Sequence, residues 1–262
     1  MDNFYQNAEQ GDDSNDFDEE SRLELIKIMV ENVKMEAGID AEDNDGNTLL
    51  MLAVMNQHTQ IVRYFISKGA RVDLTNKDGM CALHYCAGFD SDDGFELCKL
   101  LVDNGANANQ TDGIDHGITP LHIACGQGAL KMHWVVEPRV KFFVEQCGGD
   151  IEFANSYGYS AIFYAVMEEQ FDVVQYLVSK GTRIDQINHK GRSPLIAACL
   201  FGHLQIVKFL VENGGADIEI VASDGLTAVR AAIIKNRFEI LEYLLEKGAR
   251  TDYLLIKLAF PI

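Results

Sequence analysis

Cys81, His84 and Cys86 place two thiols and an imidazole within six residues, a grouping that could bind a divalent metal. Cys125 and Cys199 are the further sulfur nucleophiles a thiol chemistry would draw on. Nothing around them completes a reaction centre. No glycine-rich phosphate loop follows a strand-like run, no nucleophile elbow occurs, and no histidine pair stands at helical spacing. The Asp and Glu residues are scattered, as expected for solvated surface positions. No catalytic residue, metal site or cofactor is therefore expected, and the chain is read as a non-enzyme.

These residues take their meaning from a period in the chain. With Gly46, Gly79, Gly117, Gly158, Gly191 and Gly225 as origins, the spacings are 33, 38, 41, 33 and 34 residues. Two positions after each origin stand Thr48, Cys81, Thr119, Ser160, Ser193 and Thr227. Four after stand Leu50, Leu83, Leu121, Ile162, Leu195 and Val229. Seven after stand Ala53, Cys86, Ala124, Ala165, Ala198 and Ala232. The glycine suits a turn with positive φ, and the hydroxyl residue is a helix N-cap, followed by Pro120 and Pro194 at the first helical position. Leu and Ala three apart make one apolar helical stripe with a small residue for close stacking. A second stripe follows in stretches such as IVRYFISKGA and IVKFLVENGG, whose glycines mark helix ends. Cys81 and Cys86 thus occupy structural columns, and the six cysteines read as reduced, mostly buried thiols.

GITPLHIA at 117–124, GRSPLIAACLFGHLQIVKFLVENGGADIE at 191–219 and GMCALHYCA at 79–87 resemble the ankyrin repeat. The likeness covers about residues 40–252. It implies an all-α ankyrin-repeat solenoid of stacked helix-turn-helix pairs with β-hairpin fingers and a concave protein-binding groove. Cys81 departs from the family threonine, and only His84 and His122 keep the family histidine, which implies a hydrogen-bonding role near Thr119 for His122. The same resemblance makes Asn109, in a finger, the candidate for side-chain hydroxylation, against the plainer reading of a turn former.

The domain reading is an acidic disordered tail at 1–20, an N-terminal capping helix at 21–40, six repeats at 41–252, and an apolar cap or tail at 253–262. Two repeats are lengthened at the same helix–helix turn, by GFDSDDGF at 88–95 and within LKMHWVVEPR at 130–139, which holds Trp134. Neighbouring insertions at one turn must share an edge of the stack, either as a binding edge or as tolerated loop growth.

At 47% hydrophobic, the chain has the apolar content to fold. Its net charge is −18, and residues 1–20 hold eight acids and no Lys or Arg. That balance repels phosphate backbones and anionic lipid, so nucleic-acid and membrane binding are not expected. No apolar run approaches the roughly 20 residues needed to span a bilayer, and no secretory signal is read at the start. A cytoplasmic monomer is expected, with the nucleus as the alternative.

Binding candidates come from the variable positions. Met80, Ile118, Tyr159 and Arg192 lie one position after the glycines. Phe89, Met167 and Phe201 lie at the end of the first helix, with Tyr157 and Trp134 added. Tyr, Met and Arg are residues that interfaces favour, and His189, Lys190 and Arg192 form a small basic patch. The expected function is an adaptor, inhibitor or scaffold gripping a folded partner. The alternatives are a regulatory ankyrin domain of a larger enzyme or channel, an assembly-chaperone-like factor, or an effector of a parasite or host-associated bacterium.

Overall fold

The structure, a computed structural model, describes residues 18–32, 38–113, 116–126 and 136–251. Helix α1 (Glu19–Asn32) precedes six helix pairs: α2 (Leu49–Met55) with α3 (Thr59–Ser67), α4 (Ala82–Ala87) with α5 (Asp92–Asp103), α6 (Pro120–Gly126) with α7 (Val136–Lys141), α8 (Ala161–Met167) with α9 (Phe171–Ser179), α10 (Pro194–Phe201) with α11 (Leu204–Glu212), and α12 (Ala228–Ile234) with α13 (Phe238–Glu246). A π-helical turn, Phe142–Gln146, continues α7.

The first helix of each pair is short and apolar on nearly every side because it is covered on nearly every side. It packs on its own second helix, and the first helices also stack in order, α2 on α4, α4 on α6, α6 on α8, α8 on α10 and α10 on α12. The leucine column is at most 2% exposed and the alanine column at most 5%. Each large member contributes about 1.5–3 kcal/mol by burial, while the small one lets neighbouring backbones approach. The caps form as expected at Thr48, Ser193 and Thr227, whose hydroxyls accept from the backbone N–H three residues on, at 3.2, 3.3 and 3.2 Å. Ser160 differs: its hydroxyl is buried without a partner.

Several expected boundaries shift. Glu19 and Glu20 belong to α1, whose start is capped by Asp18 through Ser21 N–H at 2.7 Å, so helix begins inside the stretch read as tail. Residues 1–17 and 252–262, with the expected C-terminal cap, lie outside the described residues. Half of the 88–95 insertion is helix: Ser91 caps α5 through Gly94 N–H at 3.1 Å, and Asp92 and Asp93 sit in its first turn, where a helix N-terminus favours acids. That gives α5 twelve residues against nine in α3, α9, α11 and α13. Among the described residues the fingers are turns rather than strands, with one isolated bridge, Glu42 to Thr48. No ladder forms among these residues, and four neighbouring finger pairs share one backbone hydrogen bond each: Lys77 N–H to Asp45 O, Ser156 N–H to His116 O, His189 N–H to Tyr157 O, Ser223 N–H to Lys190 O, all at 2.8–3.0 Å.

Gly158 shows why a glycine opens each repeat. Its φ is +79°, and a Cβ there would stand 2.8 Å from the Cα of Asn188 in the next finger. Gly181, at φ +81°, has open space around it. Urea unfolding of Gly158→Ala should show a loss of about 2–4 kcal/mol, from strain plus collision, against roughly 1 kcal/mol for Gly181→Ala. Equal losses would mean that the fingers are not closely apposed.

Candidate protein-interaction face

A side-chain amide or carboxylate three positions before the glycine builds most fingers, a column the sequence reading passed over. Asn76 Oδ1 accepts the N–H groups of Asp78 and Met80 at 3.0 Å each, Asn155 those of Tyr157 and Tyr159 at 2.9 Å each, and Asn188 those of Lys190 and Arg192 at 2.9 and 3.1 Å. Asp43 does the same for Asp45 and Asn47 at 2.8 Å each. The amide N–H groups then reach inward: Asn76 Nδ2 donates to Tyr85 Oη at 2.8 Å and Asn155 Nδ2 to Tyr164 Oη at 2.9 Å. The signal was available as Asp43, Asn76, Asn155 and Asn188 at one offset, broken in the third unit by Ile114 and in the sixth by Ala222.

The histidines complete the same frame. His84 Nδ1 accepts Cys81 N–H at 3.1 Å while Nε2 donates to Ile118 O at 3.2 Å. His122 Nδ1 accepts Thr119 N–H at 3.2 Å and Nε2 donates to Phe153 O at 2.9 Å in the following finger. Both rings are buried, and burial drives both pKa values down to about 4. They are held neutral as one tautomer, each nitrogen committed. Cys81 Sγ lies 3.0 Å from the acceptor nitrogen of His84, so the pair works as a helix cap. Cys86 Sγ lies 2.8 Å from Cys98 Sγ, both free thiols. Burial also raises the pKa of Cys81, Cys125 and Cys199, which keeps them as unreactive thiols. Among the described residues no three His, Cys, Asp or Glu side chains are grouped to hold a metal.

The expected contact residues divide by exposure. Tyr157 and Phe201 are open to solvent, 49% and 48% exposed. Met80, Phe89, Ile118, Tyr159, Met167 and Arg192 are half-buried. Tyr159 packs edge-on against Phe163, ring centroids 5.3 Å apart. Phe89 closes over Gly94, where a Cβ would meet its own at 2.4 Å. Arg192 donates to Asp224 Oδ2 at 3.0 Å, which offsets the expected basic patch and leaves His189 and Lys190 as its exposed members. Trp134 lies outside the described residues. Exposed apolar residues that the sequence reading missed stand on the fingers as well: Phe153, Ile187 and Val221, 37%, 53% and 62% exposed.

Asn109 belongs to an inter-repeat ladder. Its Oδ1 accepts Asp150 N–H at 3.1 Å and its Nδ2 donates to Gly148 O at 3.1 Å. Glu152, Asp185 and Glu219 accept the N–H of Arg183, Asp217 and Arg250 in the same way, at 2.8, 3.1 and 2.9 Å. On the helix–helix turns, Arg139 joins the two insertions. It is 2% exposed, and its Nη2 donates to Ser91 O at 3.2 Å.

A family model for ankyrin repeats matches three times, over residues 19–112, 91–188 and 180–253. The chain belongs to the ankyrin-repeat family. A crystal structure of an ankyrin repeat domain from Acinetobacter baumannii is similar at a TM-score of 0.63 and 25% identity, over 77% of this chain and 98% of that one. An ankyrin repeat protein of Variola virus is 28% identical over 189 residues, 70% of this chain and 31% of its own length. A yeast protein named as a probable 26S proteasome regulatory subunit, p28, is 25% identical over 200 residues, 75% of this chain and 83% of its length. The chain spans 27–31% of the length of the viral relatives it matches. Ankyrin repeats are generally non-enzymatic protein-interaction modules, and no helix among the described residues is long and apolar enough to cross a membrane.

Two outcomes follow. Tyr159→Ala should cost about 1–3 kcal/mol in urea unfolding by emptying a packed site, while Phe201→Ala stays within about 0.5 kcal/mol; the reverse order would mean Tyr159 is free. His84 and His122 fold with pKa values near 4 against about 6.5 unfolded, so the unfolded chain binds the extra protons between those limits. Their contribution is complete above pH 6.5 and lost as pH falls towards 4, about 3 kcal/mol each. A urea series from pH 7.5 to 4.5 on the wild type and His122→Gln should show a shallower slope in the variant.

Proposed function

We propose that this ankyrin stack is a non-enzymatic adaptor, inhibitor or scaffold that holds a folded protein partner on its finger side. The observation that carries the reading is the placement of Tyr157, Ile187 and Val221, well exposed on three consecutive fingers whose backbones are already tied together. Apolar anchors on a fixed frame lose little conformational freedom on binding, which favours affinity. Tyr157 adds an aromatic ring 5.5 Å from that of His116, and Phe201 extends the apolar surface at the far end of a first helix. His189 and Lys190 stand beside these anchors and suit an acidic group on the partner. The mechanism is occlusion or tethering by shape.

The shares of the longer viral relatives support the same role for this stack as the binding domain of a larger protein. Its free cysteines suit a reducing compartment, the cytoplasm or the nucleus.

The test is affinity capture from the native extract, comparing the wild type with the triple variant Tyr157→Ala, Ile187→Ala, Val221→Ala. A genuine partner should be recovered by the wild type and bind the variant with a penalty of at least ~2 kcal/mol, about 30-fold in Kd, with the melting temperature nearly unchanged. Identical recovery by both would remove the fingers as the binding site.

A further inference from the structure

Among the described residues, the N-terminal end of the stack holds half a repeat, with a groove beside it. In α1 the run LIKIMVEN, residues 25–32, aligns with IVKFLVEN, residues 206–213, of α11, so α1 is a second helix by sequence. It also packs as one, on α3, as α11 packs on α13. The three core positions of a second helix are at most 3% exposed in α3, α9 and α11. In α1 the same positions are Leu25, Ile26 and Met29, and Leu25 and Met29 are 48% and 57% exposed. Among the described residues no first helix pairs with α1. Beside it lies an apolar groove of about 240 Å³, lined by Ile26 and Met29 from α1, Leu49, Leu52 and Ala53 from α2, and Phe65 from α3. An internal first helix is likewise bounded by its own second helix and by the next first helix.

We propose that residues 3–11 of this chain fill the groove as the missing first helix, completing a seventh repeat. The segment reads Asn3-Phe4-Tyr5-Gln6-Asn7-Ala8, then Glu9-Gln10-Gly11. Asn3, Tyr5 and Ala8 stand at the offsets of the N-cap, leucine and alanine columns, as Thr48, Leu50 and Ala53 do in the first full repeat. Ala8 lies 18 residues before Ile26. The matching distance is 9 from Ala198 to Val207 and 16 from Ala124 to Val140, so the linker is long in the way the third repeat is long. That linker runs from Gly11 to Asp18, eight residues that can extend over about 26 Å, enough to return along a helix of 14 residues, about 21 Å long. Its acids Asp12, Asp13 and Asp16 then join the helix–helix-turn edge that already carries Asp90, Asp92 and Asp93.

The test uses the full chain labelled at the methionine ε-methyls, with Met29 assigned by Met29→Leu. Ring currents from Phe4 and Tyr5 should displace the Met29 resonance, and Phe4→Ala with Tyr5→Ala should return it to the position of an exposed methionine. Amide exchange across Glu19–Asn32 should accelerate about tenfold in the double variant, and deletion of residues 1–10 should reproduce both changes. The Met80 and Met167 resonances, distant in the stack, should stay fixed and report an intact fold. A Met29 resonance and α1 exchange rate indifferent to Phe4 and Tyr5 would overturn the proposal. A Met29 shift that survives the double variant and follows protein concentration would assign the groove to a second copy instead.

Discussion

No repeat in this protein encloses a core of its own. A first helix such as α10 is buried from Pro194 to Cys199 because α8, α11 and α12 cover it, and removing any neighbour uncovers apolar side chains. Stability in such a stack comes from nearest-neighbour contacts, so it fails first at its ends. The last helix pair among the described residues is less covered. Phe171 packs edge-on against Phe209 of the next repeat, with ring centroids 5.6 Å apart, whereas Phe238, at the same repeat position as Phe171, is 73% exposed.

The polar groups serve the same stacking. Buried amides and imidazoles carry backbone bonds within and between fingers, and His84 and His122 have both ring nitrogens committed, which is what a buried polar group requires. His122 spans from its own cap to the carbonyl of Phe153, and Asn155 joins two backbone N–H groups to a tyrosine hydroxyl. The residues with the chemical types for catalysis are thereby used for architecture. Surface chemistry is left to side chains that point away from this frame, and those are the ones on which a partner can act without unfolding anything.

The second helices add a motif that recurs along the outer side. Tyr176 donates its hydroxyl to Glu145 at 3.1 Å, and Lys180 pairs with the same carboxylate at 2.8 Å. Tyr243, Glu212 and Lys247 repeat the arrangement at 3.2 and 2.9 Å. Such exposed pairs add little energy individually, and both link one repeat to the next. Tyr64 holds the same place in the first full repeat, and its hydroxyl is buried without a partner.

The columns of glycine, hydroxyl, leucine and alanine were legible because each reports a local requirement, a turn, a cap or a helical stripe, and the period repeats it six times. They determined the family, the helix pairs and the structural use of Cys81 and His84. The contact face was only partly legible. Phe89 and Tyr159 look free in a one-dimensional pattern, yet each has a packing partner brought to it by the fold, Gly94 for one and Phe163 for the other. Ile187 and Val221 look like core residues and stand in solvent. The helical second half of the 88–95 insertion depended on Ser91 meeting Gly94 N–H, and its link to the third repeat on Arg139 reaching Ser91 O. Sequence alone determined which residues form each repeat, because those rules act over a few neighbouring positions. Tertiary structure decided which side chains remain exposed, because exposure depends on the repeat stacked alongside, about 33 residues away in the chain.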